Sequence, residues 1–284
     1  MTIYIPILSD THSGSRVGLM NPNTLLLRED ENGEPELYQP NMTASQAYLW
    51  RLNLHALKWM QGKTVPLVIH TGDITHGNKH PAELVSQRLD DQPTIAVMAL
   101  KAWFMLPGVQ NGLLAYGTEA HNYGLGASDR MVAKLLTDET GVPVEPAAHP
   151  LITVDGVGID LAHHGPHPGG RVWLMGNTAR FYLRDFMIQE IEAHRIPPRL
   201  LIRAHYHTKV IETVNEGGYT STIILMPSMC MMDDFSRQAT RSKHNVTNVY
   251  IILDIDNGRL VQIHELTQTL DTRRKVNYVY NTNP

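Results

Sequence analysis

Two side chains of the types that bind divalent metal ions follow an apolar run near the start of the chain. Asp10 and His12 stand one residue apart, just after residues 3–8, which predict a buried strand. In an open α/β sheet, functional groups collect at the carboxyl ends of the strands. An isolated Asp-x-His pair is more often a turn or a helix cap. It indicates metal chemistry only if other ligand-type residues reach the same sheet edge.

Four later apolar runs end in the same residue types. They predict strands at 65–70, 112–116, 157–162 and 200–204. The ligand-type side chains after these runs are Asp73, Glu119, His121, His163, His164, His205 and His207. Each alone reads as a cap or a loop residue, but random placement would not align them all with strand ends. Mixed imidazole and carboxylate ligands in this number fit two divalent ions better than one.

Helical periodicity between the strand signals predicts the connections of an α/β fold. A capping box at Thr43 and Gln46 starts a helix that ends near Gly62. Further helical patterns cover 81–106, 128–140 and about 176–195. The first of these is interrupted at Pro93, which is predicted to start a second helix with Asp91 near its cap.

Turn signals define the remaining parts of the chain. Residues 13–42 contain a predicted hairpin and read as an insertion beside the end of the first strand, where we expect them to border the cleft. After residue 209 the pattern predicts strands at 209–214, 220–226, 248–254 and 259–265. We expect one domain over residues 1–284, with a loose tail from about 275.

Composition limits the class of protein. The 284 residues carry a net charge of −4, so no overall basic field draws the chain to nucleic acid or to an anionic membrane. A local exception lies between 171 and 209, where seven Lys or Arg stand against three acidic residues; this keeps a nucleic-acid substrate open, although Arg180 and Arg184 could simply solvate a helix face. The single cysteine, Cys230, excludes an internal disulfide. Without a signal peptide or membrane-span pattern, we expect a cytoplasmic protein.

The order of the motifs resembles the calcineurin-like metallophosphoesterases over about residues 3–210. The shared order is D-x-H, GD, a Gly-anchored segment ending in His, a His before Gly, and H-x-H. The strings GTEAH, AHHGP and RAHYH are similar to phage- and prophage-encoded members. The resemblance implies a four-layer α-β-β-α sandwich with a dimetal centre that hydrolyses phosphoesters. Mn is the expected ion, with Fe, Zn or Ni as alternatives.

The resemblance also implies roles for individual residues. Asp10, His12 and His207 would hold the first metal, and Asp73 would bridge both. His164, just before Gly165, and His205 would hold the second metal. His121 would assist the leaving group as a general acid.

Four further positions have more than one interpretation. Where the family has Asn, this chain has Glu119, which we prefer as a ligand; the alternative is that Thr118 and water fill the position. His163 is the alternative to His164 as a ligand and is otherwise a candidate for substrate binding. His76 and Arg171 are further candidates for substrate binding, and each also reads as an ordinary loop residue.

These observations predict an enzyme in which two metals activate a water molecule for attack on phosphorus. The expected activity is that of a phosphodiesterase or nuclease in phage nucleic-acid metabolism, acting on a phosphoester that could be DNA or RNA. A phosphomonoesterase is the alternative enzyme. A catalytically silent scaffold is the alternative from another class, but it would be expected to have lost several of the ligands. The oligomeric state stays open.

Overall fold

A computed structural model describes residues 1–124, 126–232, 245–273 and 275–277. The tail predicted from about 275 falls mostly on residues 278–284, outside the described residues. The strands are β1 Ile3–Leu8, β2 Leu26–Glu29, β3 Pro35–Tyr38, β4 Leu67–His70, β5 Asn111–Ala115, β6 Val144–Ala147, β7 Leu151–Val154, β8 Val157–Leu161, β9 Leu200–Arg203, β10 Val210–Glu216, β11 Tyr219–Leu225, β12 Asn245–Asp256 and β13 Arg259–Asp271. The helices are α1 Ala44–Met60, α2 Asp91–Phe104, α3 Ala127–Thr140 and α4 Asn177–Glu192.

The first large sheet has six strands in the order β13-β12-β1-β4-β5-β6. Its strands β1, β4, β5 and β6 are parallel, so their carboxyl ends lie at one edge of the sheet. Strand β12 pairs antiparallel with β1. The sequence pattern did not predict β6, a short edge strand that contains Pro146; proline is tolerated only at such a position in a sheet.

The second large sheet has five strands in the order β10-β11-β9-β8-β7. Its central strands β8, β9 and β11 are parallel, and β10 and β7 pair antiparallel at the edges. The carboxyl ends of β8 and β9 therefore also lie at one edge, which places the segments AHHGP and AHYH side by side.

Three apolar cores separate four layers. Alternate residues of β1 and β4 face opposite ways: Leu8 and Val68 pack with α1, α2 and α3, whereas Ile7 and Ile69 pack against the second sheet. On the far face of the second sheet, α4 buries Leu183 with its neighbours Ala179 and Met187. The predicted four-layer α-β-β-α sandwich of two mixed sheets is confirmed.

Local signals explain the helix ends. At the start of α1, Thr43 Oγ1 accepts a hydrogen bond from Gln46 N at 3.2 Å and Thr43 N donates to Gln46 Oε1 at 2.9 Å, which confirms the capping box. The second helix predicted at the interruption is confirmed as α2, whose first turn contains Pro93 because a missing N–H costs nothing there. The first part of the 81–106 pattern forms only a short 3₁₀ turn, Pro81–Glu83. Among the described residues, no helix is both long and apolar enough to cross a membrane.

Candidate metal centre

The loops after β1 and β4 continue the pairing of the two strands. Asp10 N donates to Gly72 O at 3.1 Å, and His12 N donates to Asp73 O at 3.0 Å. These two bonds hold the first candidate ligand pair beside Asp73, which comes about sixty residues later in the chain. Backbone hydrogen bonds therefore bring together the ligand-type residues that the sequence predicts at this sheet edge.

Five candidate ligands have left-handed backbone conformations, which residues other than glycine adopt uncommonly. Their φ values are 45° at Asp10, 42° at His12, 50° at Asp73, 75° at His205 and 51° at His207. Such conformations cost about 1–3 kcal/mol each and cluster at functional sites. The strain thus points to the same sheet edge as the residue types do.

The first group of ligand-type side chains consists of Asp10, His12 and His207, with ligand atoms within 4.8 Å of one another. His207 Nε2 lies 3.2 Å from Asp10 Oδ1 and 3.2 Å from His12 Nε2. Burial lowers the pKa of His12 well below its usual value, and the nearby His121 and His207 lower it further. His12 is therefore neutral, the form in which imidazole binds metals.

The second group consists of Asp73, His163 and His205. His163 Nδ1 donates to Thr71 O at 2.8 Å, which leaves Nε2 facing Asp73 Oδ2 at 3.1 Å. Burial lowers the pKa of His163, but the hydrogen bond to Asp73 and nearby carboxylate charges outweigh it and raise the pKa to about 9. Burial raises the pKa of Asp73, yet His163 holds it well below the usual value. A cation that binds here takes the place of a proton on His163.

The structure places His163, rather than the preferred His164, in this group. Ala162 N donates to Ile202 O at 3.1 Å and Ala204 N donates to His163 O at 2.8 Å, so the pairing of β8 with β9 continues through His163. Alternation along an extended chain then turns His164 outward. Its side chain is exposed, with its ring 4.8 Å from that of His205. The geometry therefore favours His163.

Thr118, rather than Glu119, lies beside Asp73. Thr118 N and Oγ1 donate to Asp73 Oδ1 at 2.6 and 3.0 Å, whereas Glu119 is exposed and falls in none of the metal-type groups among the described residues. The close approach requires Gly117, because a Cβ there would lie 2.3 Å from Asp73 Oδ1. The arrangement favours the alternative with Thr118.

A third group joins the candidate acid His121 to His12 and His76. His121 Nδ1 donates to His76 O at 2.7 Å, and Thr75 Oγ1 donates to His121 O at 2.8 Å. The His12 and His121 ring centroids are 4.4 Å apart. Nδ1 of His121 is thereby occupied, so Nε2 is the nitrogen left for chemistry.

The basic segment 171–209 does not form a free positive surface. Its ion pairs with acidic residues outside the segment are Arg180–Glu212, Arg184–Glu216, Arg203–Asp160 and Lys209–Glu265. These four acids match the segment's excess of four positive charges. Arg171 is exposed, with its guanidinium 5.6 Å from the centroid of the Trp173 ring.

Sequence reasoning missed several polar residues that support the site. Ser9 Oγ donates to Asp10 Oδ2, and Thr71 Oγ1 donates to Ser9 Oγ. A signal was present, since Ser9 and Thr71 are the polar residues that end the apolar runs. Asp129 Oδ2 accepts from Gly117 N at 3.3 Å, and burial raises its pKa to about 7. Nothing in the sequence around Asp129 indicates this role.

Comparisons with known proteins yield structural likenesses. No protein-family model and no curated protein matches the chain. A structure of an archaeal phosphodiesterase is 13% identical, covers 94% of this chain and 100% of its own, and has a TM-score of 0.46. A structure of Thermus thermophilus sulfate thiohydrolase SoxB is 10% identical, covers 95% of this chain and 56% of its own, and has a TM-score of 0.37. A structure of Chaetomium thermophilum Vps29 is 9% identical, covers 96% of this chain and 97% of its own, and has a TM-score of 0.33. Function for this chain rests on the geometry of its own site.

Proposed function

We propose that this chain is a metal-dependent phosphoesterase that holds two divalent cations and acts on phosphodiesters. One observation carries the proposal: two groups of ligand-type side chains meet at the ends of strands from both sheets. Asp10, His12 and His207 would hold one ion. Asp73, His163 and His205 would hold the other, with Thr118 beside Asp73.

The donor set fits such ions. Imidazole and carboxylate ligands suit Mn, Fe, Zn and Ni. The 3.2 Å between His12 Nε2 and His207 Nε2 is close to the separation of about 3.3 Å expected for two nitrogens on one tetrahedral zinc. Asp10 and Asp73 supply negative charge from positions that are at most 2% exposed.

The chain's own residues supply proton transfer and orientation. Two divalent ions held by these residues would supply Lewis acidity, which lowers the pKa of a bound water molecule and offsets the charge of the phosphoryl oxygens. The carbonyl of His76 fixes the ring of His121, so Nε2 can give a proton to the departing oxygen. The His76 ring, 5.4 Å from that of His121, borders the same space and could contact the substrate.

An aromatic surface beside the site supports a diester substrate. Tyr206 lies between His205 and His207 in the chain and is exposed, and its ring centroid is 4.9 Å from that of His205. A diester carries a second organic substituent that an aromatic surface can contact, and a monoester lacks it. Because the basic segment is ion-paired, we place small phosphodiesters ahead of nucleic acid. A nuclease in phage nucleic-acid metabolism is the narrower alternative.

The test is hydrolysis by protein stripped with a chelator and reloaded with Mn²⁺, Zn²⁺ or Ni²⁺. We expect faster turnover of bis-4-nitrophenyl phosphate than of 4-nitrophenyl phosphate, and slower cleavage of single- and double-stranded DNA. His121→Ala should lose about 10²-fold, as expected for a general acid. His55→Ala, an exposed histidine on α1, is the matched control.

Each alternative has its own outcome. Faster turnover of the monoester would replace the diester assignment with a phosphatase. Faster cleavage of DNA would support the nuclease. Tight binding of two ions without hydrolysis of any substrate would refute the enzyme proposal and support the catalytically silent scaffold.

A further inference from the structure

We propose that His12, His76 and His121 form a third cation site, beside the two-ion centre, for ions such as Zn²⁺ that prefer nitrogen ligands. Their ligand atoms all lie within 4.8 Å of one another. The ring centroids are 4.4 Å apart for His12 and His121, 5.4 Å for His76 and His121, and 5.6 Å for His12 and His76. The three rings come from separate loops, those after β1, β4 and β5.

The ring nitrogens can be divided between the cations. His121 Nδ1 is bonded to the carbonyl of His76, which leaves Nε2 for an ion. His12 Nε2 faces His207 in the first group. His12 Nδ1 is buried and makes no hydrogen bond within the described part of the chain. His12 thus has one nitrogen for each of two neighbouring ions. Binding of the second of them releases the remaining ring proton to solvent, so that His12 bridges the two ions as an imidazolate.

The chemistry of the donors selects the ion. Three imidazoles suit Zn²⁺, Ni²⁺ or Cu²⁺, whereas Mg²⁺, Ca²⁺ and Mn²⁺ favour oxygen ligands. Glu83 Oε2 lies 3.7 Å from His76 Nε2 and adds a negative charge next to the group. Repulsion from the two other ions weakens binding of the third ion, so the third site should fill last.

Hydrogen bonds hold the loop that carries His76 in place before any ion binds. Gln92 Oε1 accepts from His76 N at 3.0 Å and from Gly77 N at 2.9 Å, and Gln92 Nε2 donates to Gly77 O at 2.9 Å. A Cβ at Gly77 would lie 2.4 Å from Ala120 O, so this loop packs directly on the residue before His121. The rings are therefore held near one another by the backbone.

One consequence for activity rests on the proposed function. His121 Nε2 cannot bind a cation and donate a proton at the same time. Excess zinc should therefore slow hydrolysis, and most strongly for substrates with basic leaving groups, which depend on the acid.

The deciding measurement is zinc stoichiometry by equilibrium dialysis over rising free Zn²⁺, which needs no activity. We expect three ions in the wild-type protein, the third binding at least tenfold more weakly than the others, and two ions in His76→Gln. The control His55→Gln removes an exposed histidine on α1 and should keep three. Glu83→Gln, a milder change, should weaken only the third ion, by about tenfold.

Saturation of the wild-type protein at two ions would overturn the third site. So would three ions in a folded His76→Gln variant, with thermal unfolding as the check on folding. If His76→Gln is unfolded, an unchanged third affinity in Glu83→Gln overturns the proposal. A wild-type protein that binds a single ion, lost in His76→Gln, would instead support this site and refute the two-ion centre.

Discussion

The two ends of the β-sandwich use the same uncommon backbone conformation for different purposes. At the end away from the site, Asp155 and Asn257 have φ values of 45° and 48°, and each is followed by glycine in a hairpin turn. Gly258 N donates to Asp155 Oδ2 at 3.0 Å and joins the two turns. These positions have a local explanation, because Asn-Gly and Asp-Gly turns require positive φ.

At the site end, the left-handed residues have no such turn to explain them. Asp10, His12 and Asp73 are buried, and two of them carry charge. Strain and buried charge both oppose folding, so their coincidence at one sheet edge indicates selection for function rather than for stability.

Asp73→Asn should cause the largest loss of metal-dependent hydrolysis. Asp73 contacts His163 and Thr118, and its charge is the one the second cation needs. We expect metal-dependent hydrolysis to fall by at least about 10³-fold and the second ion to be lost. Asp155→Asn makes the same chemical change at the turn end and should leave activity within about twofold. Equal activity in the two variants would contradict the conclusion that the site end carries the activity and the turn end does not.

Substitutions of the two adjacent histidines should have very different effects on affinity for the second ion. His163→Gln removes a buried ring that faces Asp73, so we expect affinity for the second ion to fall by about 100-fold. His164→Gln alters an exposed ring and should change that affinity by less than about threefold. Calorimetric titration with Mn²⁺ measures both. The reverse order would restore the ligand preferred from sequence.

Asp129 should make stability fall as pH rises. Burial raises its pKa to about 7, so the folded chain keeps a proton that the unfolded chain releases near pH 4. Between these values the unfolded state binds fewer protons, and the contribution to stability drops by about 2–4 kcal/mol. The unfolding free energy of Asp129→Asn, relative to that of the wild type, should therefore be higher at pH 8 than at pH 4.5. Denaturant unfolding of both proteins at the two pH values measures this difference. A pH-independent difference would contradict the assignment.

Substitutions at the turn end should have the smallest effect, and they should change stability rather than hydrolysis. Asn257→Ala places alanine at a positive φ and should cost about 1 kcal/mol of unfolding free energy, with unchanged hydrolysis. Asn257→Gly is the matched control and should stay within about 0.5 kcal/mol of wild type, since glycine adopts this conformation freely. A change in metal binding in either variant would show that the two ends are coupled.

Much of the fold could be predicted because periodicity and turn chemistry are local. The capping box at Thr43 predicted the start of a helix, and the strands predicted at 248–254 and 259–265 form a hairpin; the structure confirms both. Strand β6 could not be predicted, since its four residues contain a proline and pair only because β5 lies beside them. The short turn at Pro81–Glu83 depends in the same way on its surroundings.

By itself, the sequence determined which residue types end the strands and therefore which edge of the sheets could bind metal. The tertiary structure shows which of two neighbouring residues lies beside Asp73: His163 rather than His164, and Thr118 rather than Glu119. For the two histidines, the reason is that successive residues of an extended chain point to opposite sides, and only pairing with another strand fixes which side faces the site. For Thr118, the reason is the close approach of Gly117 to Asp73. The partners of the basic segment were likewise decided in three dimensions, because all four acids lie outside it in the chain.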